Sequence, residues 1–311
     1  MCKISLPINE NPPIKCYVYD FQPLSIILSE NYDIRYQWLF NHYYTFKISS
    51  DNYLTFSNDW WFRRDNIFLT GNYIKLPVKS VDSDAILKIV LNMMKQGFYC
   101  VGNFKDNIHS NIFHNFILYE FDSQTNNLRY LSYLGNKNIK QINIDFNKIF
   151  DAINSSNELD FILLFTKLNK NYKFNSFNIN IFKSEVNKYI DINEKNFGIN
   201  AIHKFIHYLY SYNSTDKLID IKRNLLILYE HKNLMFERLN FMYKEKVFSD
   251  YSSINVYERI VSKYEKLLEA YREFKDEKNF DKIKLLAITI EEITKLEITA
   301  LNNILDNCVF K

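Results

Sequence analysis

The sequence comprises 311 residues, enough for one large domain or two smaller ones. Hydrophobic residues make up 47% and aromatic residues 17%, so a sizeable core is expected and a disordered chain is excluded. The 39 basic and 36 acidic residues leave a net charge of +3, which is too small a basic excess to indicate a nucleic-acid partner.

Targeting and metal-binding signals are not visible in the sequence. Residues 1–15 have no apolar stretch of the kind found in signal peptides, and no run approaches the ~20 apolar residues of a membrane span. The cysteines show neither a CxxC pair nor metal-ligand spacing. They are Cys2, Cys16, Cys100 and Cys308. We therefore expect reduced thiols in a cytoplasmic protein, with no metal, no cofactor and no membrane partner.

Cys16 follows a proline-marked lead-in and precedes an apolar segment that is typical of a helix, residues 17–30. Regular helix is expected to begin near residues 20–22, with Pro23 in its first turn. The positive end of a helix dipole lowers the pKa of a nearby thiol, which makes Cys16 a candidate nucleophile. The alternative interpretation is a small buried hydrophobic residue.

Residues 32–79 alternate aromatic and polar side chains, which favours a strand pair or a strand-rich excursion. The densest aromatic patch contains Trp60 and Trp61. These side chains are candidates for the wall of a substrate groove, since aromatic residues flank many clefts. Core packing is the alternative, and His42 in the same stretch is interpreted as structural.

A helix, two strands and a turn are predicted in the middle of the chain. The helix covers residues 83–96, with Ser83 as its N-cap and Gly97 at its end. Apolar runs then predict strands over 99–104 and 113–121. The polar residues 106–110 separate the two strands, and a turn follows at 122–127.

His114 stands near the start of the second of these strands. A strand provides the rigid placement that a general base requires, and Cys16 is the nucleophile that such a base would activate. A packed or surface histidine is the alternative, because most histidines on strands have no catalytic role.

The remainder of the chain predicts further strands and then helices only. Strands are expected at 128–134, 141–144 and 161–168, with a helix from Asp145 to residue 154. Helical periodicity then covers 180–189, 199–212, 220–246, 253–275 and 279–307. The adjacent Glu230 and His231 do not fit the HExxH spacing of a zinc site, so His231 is predicted to be buried or to make a polar contact to the first half of the chain.

These elements predict an α+β protein of two parts. Residues 1–175 form a domain with a central antiparallel sheet and an N-terminal helix. Residues 176–311 form an α-helical bundle, as expected for long amphipathic helices joined by short turns.

Several of these segments resemble the papain-like domain of the butirosin biosynthesis protein H-like family, whose members occur beside peptide-synthetase genes in low-GC Firmicutes. The resemblance includes Cys16 before a helix and the run from His114 to Asp122 after Gly97. The helical half is also similar, in Asn196-Phe-Gly-Ile-Asn-Ala and in Leu228-Tyr-Glu-His-Lys-Asn-Leu-Met235.

The resemblance implies a cysteine-dependent acyltransferase or amide-forming enzyme of peptide or natural-product biosynthesis. It would move an acyl or peptidyl group from a carrier-protein thioester to an amine acceptor. Cys16 would attack the thioester and His114 would handle the protons. Backbone N–H groups of the following helix would stabilise the oxyanion, with help from Gln22 or Asn11. A homodimer through the helical half is a further expectation.

The sequence departs from this family pattern at three positions. Ser132 stands where a residue that orients the histidine is expected, and a serine lacks the negative charge that stabilises an imidazolium. Asn103 replaces a common acidic residue and Glu120 a common glycine; Asn115 and Asp106 are local alternatives for orienting His114. The predicted catalytic residues are thus Cys16, His114 and Ser132. The predicted substrate-binding residues are Gln22, Trp60, Trp61, Asn103 and Asn115.

Two other functions fit the same residues. The chain could be a non-catalytic accessory protein that retains the papain-like fold and binds a partner through its helical half. A cysteine peptidase would use the same nucleophile and base, with water in place of the amine.

Overall fold

A computed structural model of the chain describes residues 3–16, 18–30, 39–40, 45–56, 69–72, 82–106, 112–134, 138–148, 163–169, 177–212, 221–274 and 280–307. Its contacts group the chain into two compact units. The first comprises Met1–Arg35 and Trp60–Phe174, and the second comprises Tyr36–Asp59 and Asn175–Lys311. The predicted ranges 1–175 and 176–311 assign Tyr36–Asp59 to the first part, whereas the structure groups this segment with the helices.

The protein is α+β, as predicted, with antiparallel strands followed by helices. The strands are β1 (Lys3–Ser5), β2 (Phe46–Ile48), β3 (Leu54–Phe56), β4 (Leu69–Asn72), β5 (Tyr99–Asp106), β6 (Ile112–Asp122), β7 (Asn127–Leu134), β8 (Asn138–Asp145) and β9 (Leu164–Leu168). The helices are α1 (Val18–Ile27), α2 (Ser83–Lys95), α3 (Ile179–Ile190), α4 (Gly198–Ser211), α5 (Ile221–Lys244), α6 (Tyr251–Phe274) and α7 (Phe280–Asn307).

An antiparallel sheet forms the framework of the first unit. Its strands lie in the order β4-β9-β5-β6-β7-β8, and β1 pairs with the end of β6. Hairpin connections join β5 to β6, β6 to β7 and β7 to β8, as expected when consecutive apolar runs are separated by short polar turns. Strand β6 lies between β5 and β7 and is hydrogen-bonded to both, so its residues are held from two sides.

Helix α2 covers one face of this sheet. Its residues Ile86, Val90 and Met94 recur at intervals of four, so they form one apolar stripe. The stripe packs against side chains from four strands and the segment before β5. These include Phe98, Cys100, Phe116, Leu118, Leu128, Tyr130 and Phe165. Burial of each large apolar side chain contributes roughly 1.5–3 kcal/mol, so this layer is a main source of stability for the first unit.

The ends of α2 agree only in part with prediction. Gly97 ends the helix, as predicted: its φ of 83° is left-handed, and its N–H donates to the carbonyl of Met94. The predicted cap at Ser83 is wrong, because the N-cap is Asp82 and no side chain caps the helix there. Ser83 is instead the first helical residue.

The position of Pro23 also differs from prediction. Helix α1 begins at Val18, so Pro23 is its sixth residue and lies outside the first turn. Proline has no N–H to donate to the carbonyl four residues earlier, that of Tyr19. The helix tolerates this loss over its ten residues, and the sequence rule that puts proline at a helix start fails here.

A short β-hairpin packs with the helices of the second unit. The strand pair β2–β3 confirms the predicted strand pair in residues 32–79. The buried side chain of Asn224 on α5 holds the hairpin: its Oδ1 accepts from Leu54 N at 3.0 Å and its Nδ2 donates to Asn52 O at 2.9 Å. A polar side chain within α5 thereby satisfies backbone groups of a segment 170 residues away.

The helical bundle agrees closely with the periodicity of the sequence. Each of the five predicted helices is present with ends within two residues of the predicted ones. Helix α5 packs on α6, and α7 packs between α6 and α4. No helix in the described part of the chain is both long enough and apolar enough to cross a membrane.

Candidate active site around Cys16

Cys16 lies two residues before the first residue of α1, Val18. Its side chain is 4% exposed. The predicted position of Cys16 next to the start of a helix is therefore confirmed. The burial is equally consistent with the alternative of a small packed residue, so exposure alone does not decide its role.

Gln22 joins α1 to the strand that carries His114. Its side chain is 3% exposed, and its Nε2 donates to the carbonyl of Phe116 on β6 at 3.3 Å. Phe116 is two residues from His114 along that strand. The carboxamide of Gln22 thus makes a buried structural contact, and substrate binding by Gln22 stays a prediction.

The backbone of β6 places His114 opposite Phe104 of β5. In the same register Asn103 and Asn115 are direct partners, so the structure brings these two predicted residues together as a cross-strand pair. The side chains of these strand positions lie outside the described part of the chain. Trp60 and Trp61 also lie outside the described residues.

Ser132 lies on the face of the sheet that α2 covers. It pairs with Phe116 across the β6–β7 ladder and is 1% exposed. Tyr99 is adjacent to Cys100 in β5 and therefore faces the other side. The Tyr99 hydroxyl donates to the carbonyl of Pro7, in the segment that leads to Cys16. That segment thus approaches the sheet from the side opposite to Ser132, and the orienting role of Ser132 stays a prediction.

Two other residues near this region have structural contacts. The Oδ1 of Asn11 accepts from the Nζ of Lys15 at 3.0 Å on the exposed surface. Help to an oxyanion would come from the Nδ2 donor of the same side chain, so this contact does not test the prediction for Asn11. Cys100 is fully packed under α2, and burial raises the pKa of its thiol well above the ordinary value. Cys100 is therefore an inert thiol.

The second unit contains a buried ion pair that the sequence analysis did not identify. Lys232 of α5 and Glu297 of α7 have completely buried side chains, and their charged atoms are 2.7 Å apart. Burial lowers the pKa of Lys232, and the nearby carboxylate of Glu297 opposes this shift. The sequence contains a signal for this burial. Lys232 follows Leu228 by four residues, so it falls on the apolar stripe of α5, where a charged side chain would be buried.

Tyrosine hydroxyls complete this polar cluster. Tyr189 accepts from Lys232 at 2.6 Å and donates to Glu297 at 3.2 Å. Tyr257 donates to Glu297 at 3.1 Å. His231 is buried, which confirms one of the two alternatives predicted for it. The centroid of its ring lies 4.9 Å from the centroid of the Phe46 ring. These contacts satisfy the buried charges of the pair, which is how proteins tolerate ions in a core.

No cluster of three or more His, Cys, Asp or Glu side chains suited to a metal ion occurs among the residues that the structure describes. Comparisons of the sequence with models of known protein families and with curated proteins found no match. The resemblance to the butirosin family therefore rests on the short motifs of the sequence alone.

Proposed function

We propose that the chain is a cysteine-dependent acyltransferase with a papain-like arrangement of its first unit. The observation that carries this proposal is the link between α1 and β6. Cys16 precedes α1, and Gln22 of α1 is hydrogen-bonded to β6 two residues from His114. A nucleophile before a helix and a base on a strand that this helix contacts are the components of cysteine acyl transfer.

The reaction proceeds in two halves. His114 takes the thiol proton, and the Cys16 thiolate attacks the carbonyl carbon of a thioester, forming a tetrahedral oxyanion near the N–H groups at the start of α1. The oxyanion collapses and expels the carrier sulfur, which takes the proton from His114 and leaves as a thiol, so an acyl group remains on Cys16 and His114 is neutral again. An amine then attacks this acyl group, its proton passes to His114, and the Cys16 thiolate leaves. The net change is one thioester bond broken and one amide bond formed.

A second candidate function is a non-catalytic protein with the same fold. It is favoured by the alternation along β6, which puts position 114 on the same face of the sheet as Phe116 and Ser132, the face that α2 covers, whereas the segment that leads to Cys16 contacts Tyr99 on the other face. A base at a position on the face opposite to the thiol is poorly placed to take its proton. In this alternative the helical unit binds a partner and Cys16 is a packing residue.

The direct test is acylation of the protein by a small acyl thioester, followed by intact-mass and peptide mass spectrometry. We expect one acyl group on Cys16 in the parent, none in Cys16→Ala, and release of the group on addition of an amine. Cys100→Ser is the matched control, because that thiol is buried beneath α2, and it should retain acylation.

The absence of any acyl adduct on Cys16 across a panel of thioesters would favour the non-catalytic function. Release of the adduct by water as fast as by amines, together with cleavage of peptides, would assign a peptidase instead.

A further inference from the structure

The α6–α7 hairpin carries an open groove near the end of α6 and the start of α7. Its volume is about 550 Å³, within the range of sites that bind ligands or peptide segments. Apolar side chains from both helices form its floor, namely Leu267, Ala270 and Leu286. This position in the fold involves neither Cys16 nor the buried Lys232–Glu297 pair.

The groove is bordered by an exposed apolar side chain. Leu285 lines the groove and is 61% exposed, and Ile288, one turn further along α7, is 44% exposed. Leu285 thus extends the apolar floor to the edge of the groove, and contiguous apolar surface of this kind marks sites that bind another molecule. The floor residues come from two neighbouring helices, and a groove between two packed helices has the shape that accepts a third helix.

The charges at the rim are predominantly positive. Lys263, Lys266 and Lys282 line the groove, with Glu273 as the acidic residue among the lining side chains. Lys263 and Lys266 are exposed, and neither forms an ion pair with another residue in the described ranges. Two ammonium groups beside an apolar floor are thus available to an acidic partner.

We propose that this groove docks an amphipathic helix of a partner protein whose apolar stripe is bordered by Asp and Glu residues. Leucine-type side chains of the stripe would cover Leu267 and Leu286, and the acidic borders would meet Lys263 and Lys266. A second copy of the chain is a poor occupant. In a symmetric dimer this predominantly positive rim would meet a copy of itself, which is poorly complementary in charge.

The test uses a fluorescent amphipathic peptide of about five helical turns, with leucines in one stripe and glutamates on both borders. A matched peptide has lysines at the glutamate positions. We expect saturable binding of the acidic peptide to the full chain by fluorescence anisotropy. Lys266→Glu should weaken it about fivefold, since an exposed charge pair contributes up to about 1 kcal/mol. Added salt should weaken it too.

Lys284→Glu is the control variant, because Lys284 is an exposed lysine of α7 that does not line the groove. It carries the same change of charge and should leave binding of the acidic peptide unchanged. Leu285→Ser tests the apolar part at an exposed position and should also weaken binding.

Three results would overturn the proposal: equal binding of the acidic and basic peptides, equal effects of Lys266→Glu and Lys284→Glu, or no saturable binding of the acidic peptide. Sedimentation that shows a dimer which the acidic peptide dissociates would assign the groove to a second copy of the chain. The acylation state of Cys16 affects none of these readouts, so the docking proposal and the catalytic proposal can fail separately.

Discussion

Among the glycines whose surroundings the structure describes, Gly198 has the backbone that most restricts substitution. It begins α4 with a left-handed φ of 53°, and a Cβ atom there would lie 2.0 Å from the carbonyl oxygen of Tyr189. Backbone atoms cannot move away as a flexible side chain can. We expect Gly198→Ala to cost more than the ~1–2 kcal/mol of left-handed strain alone, and to lower the melting temperature accordingly.

Gly97→Ala is the matched control for this prediction. Gly97 is also left-handed, with φ of 83°, but a Cβ atom there meets nothing within 4 Å. Its substitution should cost the strain only, about 1–2 kcal/mol. Equal destabilisation of the two variants in thermal melts would contradict the steric explanation for Gly198.

Two tyrosines of the buried cluster should respond differently to loss of the hydroxyl. Tyr257 donates to Glu297, so Tyr257→Phe should destabilise the chain by about 1.5–3 kcal/mol, the range for hydrogen bonds to charged groups. The Tyr264 hydroxyl is buried without a hydrogen-bond partner among the described residues. Tyr264→Phe should therefore be neutral or stabilise by up to about 1 kcal/mol. Urea unfolding of both variants measures the difference, and a larger loss for Tyr264→Phe would contradict this assignment.

The buried tyrosines around Glu297 should make the stability of the helical bundle fall at alkaline pH. Burial, followed by the nearby charge of Glu297, raises the pKa values of Tyr189, Tyr257 and Tyr264 well above 10. Above pH 10 the unfolded chain releases phenol protons that the folded chain retains. The folded state then binds more protons, so the free energy of unfolding falls as pH rises.

The size of this effect can be measured residue by residue. Each buried tyrosine contributes a slope of up to about 1.4 kcal/mol per pH unit above pH 10. Tyr264→Phe should remove one such contribution while stability at neutral pH stays near that of the parent. Tyr251→Phe, at a tyrosine of the same bundle that is 53% exposed, is the matched control for the substitution itself. A slope equal to the parent's in Tyr264→Phe would refute the buried-phenol explanation.

The helices and strands were largely predictable because their apolar residues recur with a regular period. The helices of the bundle and the strands β5, β6 and β7 follow the sequence pattern. Strand β8 is longer than predicted, Asn138–Asp145 in place of 141–144, because β7 supplies hydrogen-bond partners along its whole length. That pairing depends on another strand, and a local pattern does not contain it.

At the scale of the whole molecule, contacts between residues distant in sequence limited the prediction. Tyr36–Asp59 belongs with the helical unit because Asn224 binds the β2–β3 hairpin, and Ile48 N donates to Asn196 O at 3.0 Å. Prediction of the candidate site from the sequence was limited in the same way, by contacts between distant residues. The helix after Cys16 and the strand under His114 were predictable, whereas the contact of Gln22 with β6 and the side of the sheet that Ser132 faces required the fold.

The measurement that tests the catalytic proposal most directly is the pH profile of iodoacetamide alkylation at Cys16, read by peptide mass spectrometry in the parent and in His114→Ala. The shape of the profile reports ionisation and does not depend on how readily the reagent reaches the buried thiol. A thiolate–imidazolium pair predicts a rate that persists down to about pH 6 in the parent and shifts toward the ordinary thiol pKa of about 8.5 in the variant. Profiles that both rise near pH 8.5 or above, unaffected by His114→Ala, would contradict the proposal and make Cys16 a packing residue.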